Sequence, residues 1–204
     1  MQLTTNPFPK DPHFTPNGKW HLLGSAGNLW WVQLKAFPFV LINMGIIGAL
    51  FLLFDIHFAL DFDTLLWSFL IFIPLHELLH ALTFPASMRS SQIYIGFSVK
   101  HFVPFAAFTG SMTKPQTLWN LMAPFIIITF TCFLFLVLFG EHPLVEHVVL
   151  FNAMAACVDS EDAWQTCKQV PKDALIRNDQ DKTYWKANDL GPAPHDTKEA
   201  SNPA

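Results

Sequence analysis

Two histidines and a glutamate, His76, Glu77 and His80, lie in the run IPLHELLHAL from Ile73 to Leu82, where every other side chain is apolar. On a helix that turns about 100° per residue, they project at roughly 0°, 100° and 40°, within one sector. Leu75, Leu78, Leu79 and Leu82 take other directions. This is the HExxH arrangement: two imidazoles one turn apart can share a zinc ion, and the carboxylate beside the first can act as general base on a water at that ion. Zinc brings the pKa of such a water to about 7, so a carboxylate within hydrogen-bond reach can take its proton as a polarised carbonyl is attacked. Core histidines hydrogen-bonded across a bundle are the plainer alternative. That alternative leaves three ionisable groups on one apolar helix without a common reason, and such groups are costly at membrane depth unless they face a polar interior or a metal.

The composition points to a membrane. Half of the residues are apolar, 21 of 204 are Phe, and only 14% are charged; mean hydropathy is +0.31, high for a soluble chain. The net charge of −4 and the lack of Lys/Arg tracts exclude the concentrated basic face that nucleic-acid binding requires. Cys132, Cys157 and Cys167 fall in or beside predicted helices, a placement that predicts small core residues rather than a disulfide framework.

Crossing a bilayer takes roughly 20 apolar residues. Ala36 to Phe54, Leu65 to Phe84 and Leu121 to Phe139 satisfy this by hydropathy, and a fourth segment, Leu144 to Trp164, is admitted on topology despite Glu146, His147, Asn152 and Asp159. Four crossings collect every Lys and Arg on one face, whereas the connections Asp55 to Thr64 and Gly140 to Pro143 carry only acids. The positive-inside rule makes that face cytoplasmic, with both termini inside, as in a multi-pass plasma (inner) membrane protein. The expected fold is therefore all-α and integral to the membrane, with four transmembrane helices and a short β-like hairpin or loop between the second and third. The expected organisation is a cytoplasmic lead-in over 1–35, the membrane domain over 36–168, a cytoplasmic segment over 169–190 and a disordered tail over 191–204.

A catalytic zinc keeps three protein ligands and an open position, so a third ligand must reach the same depth. The second and fourth helices run the same way, and Arg89 follows His80 by the same spacing as Lys168 follows Asp159. At 1.5 Å per residue, both side chains lie about 13 Å inside their cytoplasmic markers. Asp159 is thus the candidate third ligand, and Asp162, on an adjoining face, is its rival.

HELLHAL in the second helix, then NAMAACVD and VPKDALIRND, resembles the small membrane putative zincin peptidases, which are related to the site-2 intramembrane proteases; the likeness runs from Trp67 to Trp185. It implies His76 and His80 as zinc ligands, Glu77 as catalytic base, Asp159 as third ligand, and Asn152 as a residue that holds substrate or the oxyanion. Site-2 proteases follow this aspartate with Gly and the smaller family tends to precede it with Gly. Here Val158 and Ser160 flank Asp159, which keeps Asp162 in contention.

Between the second and third helices, Gln92 to Gly110 has β-branched and aromatic runs punctuated by Gly96 and Pro104, the pattern of one or two strands. An edge strand there could receive an unwound substrate by β-addition, or the loop could simply cover the bundle. His101 within it reads as a surface histidine. Together these features predict a zinc-dependent endopeptidase acting on a peptide or membrane-protein substrate in the bilayer, without nucleic acid. The alternatives are a structural or sensing metal site without turnover, and a small ion transporter. A transporter needs further polar residues along the bundle, and beyond Asn43 and the Glu146/His147 pair there are few.

Overall fold

The computed structural model describes residues 1–4, 14–24, 29–99, 103–180 and 182–187. Three long helices form its frame: α1 (Leu29–Leu53), α2 (Phe62–Thr83) and α3 (Lys114–Phe139). Each is long and apolar enough to cross a membrane. Large apolar side chains such as Leu41, Ile42, Phe69, Leu70, Phe130 and Leu134 point outward from them, a surface suited to lipid rather than water. The chain is therefore membrane-associated. Polar signals set the helix ends. Asp61 caps α2 by accepting from the Asp63 amide at 3.0 Å, and Thr113 with Gln116 forms a capping box ahead of α3.

The all-α, four-span expectation does not hold. After α3 the chain returns along the bundle in two helices of 13 residues each, α4 (Pro143–Ala155) and α5 (Cys157–Gln169), interrupted at Ala156. At 1.5 Å per residue each is about 20 Å long, too short to cross alone. Moreover, α5 carries Asp159, Glu161, Asp162 and Lys168, a composition that lipid does not favour. The Leu144 to Trp164 segment is thus a broken return within the protein and not a fourth span.

Strands are the second departure. In one sheet, β1 (Gln2–Thr4) pairs in parallel with β3 (Ile93–Ser98), which pairs antiparallel with β4 (Val103–Phe108). Gly96 permits the close approach of β1, since a Cβ there would collide with the Thr4 carbonyl oxygen. The other sheet has the order β2-β7-β6-β5, formed by His21–Leu23, Lys182–Lys186, Leu175–Asp179 and Ser111–Thr113. It gathers at one end of the bundle the segments that precede α1, precede α3 and follow α5. The stretches expected as a lead-in and a C-terminal segment therefore contribute strands. The predicted tail over 191–204 and His101 lie outside the described residues.

The main apolar core joins α1, α3, α4 and the α4–α5 break through Ile47, Phe51, Phe125, Phe133, Val149, Ala153 and Ala156. A smaller cluster of Phe72, Ile128 and Val148 ties α2 to α3 and α4. These two cores fix the inner face of α2 against the broken return.

Candidate metal centre

Ser68, Phe72, His76 and His80 recur every four residues and form the buried stripe of α2, so helical geometry turns both imidazoles inward. Across from them, the break at Ala156 begins α5 so that Asp159 falls in its first turn. His76 Nε2 lies 3.2 Å from Asp159 Oδ2 and 3.2 Å from His80 Nε2, and His80 Nε2 lies 3.5 Å from the same carboxylate oxygen. Among the described residues, His76, His80 and Asp159 form the group able to hold a metal ion, with all ligand atoms within 4.8 Å of one another.

The outward nitrogens reveal what this cluster requires. His76 Nδ1 is 3.0 Å from Asn152 Oδ1, and Asn152 Nδ2 donates to the Pro124 carbonyl at 3.3 Å. That second contact fixes the Asn152 amide with its oxygen toward the imidazole, so His76 donates from Nδ1. His80 Nδ1 faces the Asn120 carbonyl at 3.0 Å, an acceptor only, so it too carries its proton on Nδ1. With Nδ1 engaged in this way, the two Nε2 atoms turn toward each other and toward the Asp159 carboxylate. A metal ion bound between the two Nε2 atoms and the carboxylate oxygen would satisfy all three. Zinc fits this donor set: ligand bonds of about 2.0–2.1 Å in a tetrahedron imply ligand–ligand edges of about 3.3 Å, close to those observed.

The partner of His80 is available because of a proline. Pro124 lies inside α3 and has no N–H, so the carbonyl four residues earlier, that of Asn120, loses its helical donor. The His80 imidazole fills that place. The Asn120 side chain completes the clamp by donating to the His80 carbonyl and to Thr83 Oγ1, both at 2.7 Å. These contacts supply a last-turn carbonyl of α2 with a donor. Neither Asn120 nor Pro124 stands out from the sequence alone. The available signal was an Asn-x-x-x-Pro spacing within an apolar helix.

Glu77 is half-buried on the neighbouring face of α2, and its carboxylate interacts with the Ala106 backbone on β4. Asp162 is outside the metal group: it is exposed and lines a cavity of about 70 Å³ together with Thr117, Asn120, Thr166 and Asn178. Asn152 has no exposed surface, and both ends of its amide are engaged.

The profile of a family described as putative zincin peptidase matches residues 69–175, more than half of the chain. No curated protein and no solved structure matches. The matched region begins ahead of the two histidines, runs through β3, β4, β5 and α3, and includes all of α4 and α5; α1 and the strands before it lie outside. With the histidine pair, the adjacent glutamate and the convergent aspartate inside the match, the chain belongs to the putative zincin peptidase family.

Proposed function

We propose that this protein is a zinc-dependent endopeptidase that cuts a peptide bond in or near the cytoplasmic half of the membrane. The observation that carries the proposal is the convergence of two imidazole nitrogens and one carboxylate oxygen, within 3.5 Å of each other, with both imidazoles on the helix that carries Glu77. His76, His80 and Asp159 are the ligands. Zinc held there would supply the Lewis acidity that polarises a scissile carbonyl and acidifies a water. Glu77 takes that water's proton and returns it to the departing amine, the work of a general base and then a general acid. Asn152 and the Asn120 carbonyl orient the imidazoles, as outer partners of ligating histidines do. This replaces the substrate-holding role first expected for Asn152, which would need a free amide end.

β4 is an outer strand of its sheet, and the interaction of its Ala106 backbone with Glu77 supports a peptide entering by β-addition alongside the base. A substrate helix must unwind before its carbonyls can be attacked, and an edge strand offers replacement hydrogen bonds. His76 lies about 21 Å along α2 from Phe62 and about 10 Å from Thr83, which supports cleavage toward the end of the bundle that carries the basic residues.

The test is zinc analysis of the purified protein combined with a proteomic comparison of membranes carrying wild type or Glu77→Gln. A Glu77→Gln protein that retains zinc while membrane peptides accumulate supports the proposal. Identical membrane proteomes under many conditions favour a metal site without turnover.

A further inference from the structure

Asn43 is a buried polar residue in the otherwise apolar middle of α1, with only 3% of its surface exposed. Its side chain reaches both sides of the α4–α5 break. Nδ2 donates to the Ala153 carbonyl at 3.1 Å and approaches Ser160 Oγ at 3.2 Å, while Oδ1 accepts from that hydroxyl at 3.4 Å. Ala153 follows Asn152, the partner of His76. Ser160 follows Asp159. A single amide thus touches the immediate neighbours of both groups that complete the site opposite α2.

We propose that Asn43 is a positioning residue for the metal centre: it sets the angle between α4 and α5, and thereby brings Asp159 into the reach of His76 and His80. The inference rests on the metal reading above and extends it to a helix outside the region that matches the family. The physical reason is the interruption itself. Where α4 ends at Ala155 and α5 begins at Cys157, the continuous helical hydrogen-bond ladder no longer dictates the relative direction of the two segments. Apolar contacts of Ile47 and Phe51 with Val149, Ala153 and Ala156 hold α1 against the break, but such contacts are non-directional. The Asn43 amide adds direction, because its hydrogen bonds reach one carbonyl on α4 and one hydroxyl on α5. A residue serving only to join helices would need one such bond; this one grips the end of one helix and the start of the next.

The experiment uses the full chain in lipid nanodiscs and titrates Co²⁺ into wild type, Asn43→Leu and Ser160→Ala, following visible absorption and thermal unfolding of the metal-free forms. Leucine is close to asparagine in size and suits an apolar helix, so unfolding of the metal-free Asn43→Leu protein should be unchanged or shifted upward. Its Co²⁺ affinity should fall about tenfold, the usual loss when an outer orienting contact is removed, with an altered absorption band because the carboxylate is displaced. Ser160→Ala removes one arm of the clamp and should show a smaller change in the same direction, which keeps the test decisive if Asn43→Leu folds poorly. Wild-type affinity and spectrum in both variants would overturn the inference. A wild-type protein that takes up no Co²⁺ would instead overturn the metal reading on which it rests.

Discussion

Replacing Pro124 by alanine should strengthen α3 and weaken the metal site, opposite effects from one change. Alanine supplies the missing N–H, and in a helix interior it is favoured over proline by about 3 kcal/mol. The proline ring is fully buried, and deleting two methylenes costs about 1.6 kcal/mol at 0.8 kcal/mol each. Metal-free stability should therefore hold or rise slightly. The new N–H is directed at the Asn120 carbonyl, which now accepts from His80 Nδ1 at 3.0 Å. Straightening the turn also moves the Pro124 carbonyl position that receives the Asn152 amide at 3.3 Å. One neutral hydrogen bond is worth about 1 kcal/mol net, and orienting partners of ligating histidines typically account for 10–100-fold in metal affinity. Two such contacts are disturbed and neither is abolished, since a carbonyl has two lone pairs, so we expect the zinc dissociation constant to rise about tenfold, or about 1.4 kcal/mol. Competition titration against a chelating indicator, run beside thermal unfolding of the metal-free protein, measures both effects. Unchanged zinc affinity with raised stability would show that the freed carbonyl has no part in orienting His80, and a parallel fall in both would reduce Pro124 to a packing residue.

Glu77→Gln should keep zinc and lose about 10²–10⁴-fold in hydrolysis rate, because the amide retains an acceptor but cannot take a proton; processing at the wild-type rate rules out Glu77 as base. Asp159→Asn should lose most of its zinc, and Asp162→Asn should retain it because that carboxylate lies outside the cluster; the metal content of the two purified variants decides, and the reverse pattern transfers the ligand role to Asp162. A reporter active only in the cytoplasm should work when fused after Lys186 and fail when inserted near Asp61, because β7 and the α1–α2 connection lie at opposite ends of the bundle; activity at both positions would contradict a spanning orientation.

Local chemistry was sufficient for part of this protein. The three long helices follow from runs of apolar residues whose length alone matches a bilayer, and the inward pairing of His76 with His80 follows from helical periodicity, which acts over four residues and needs no tertiary partner. The same periodicity set Glu77 on the adjoining face. Depth counting also singled out Asp159 ahead of Asp162, but on the premise of an unbroken fourth span, and that premise fails. At its break the return segment is hydrogen-bonded to Asn43, which is 110 residues from Ala153 in sequence, and no window along the chain contains both. The orienting partners were hidden for the same reason. Asn120 is 40 residues from His80, and Asn152 is 76 from His76; an asparagine in an apolar helix reads the same whether it faces substrate, solvent or an imidazole. The strands β1 and β2 are three residues each, too short to carry a pattern, and exist because β3 and β7 offer them hydrogen bonds. Only folding, by bringing distant donors to orphaned acceptors, determines which polar groups are tied into the structure and which converge at the candidate metal site.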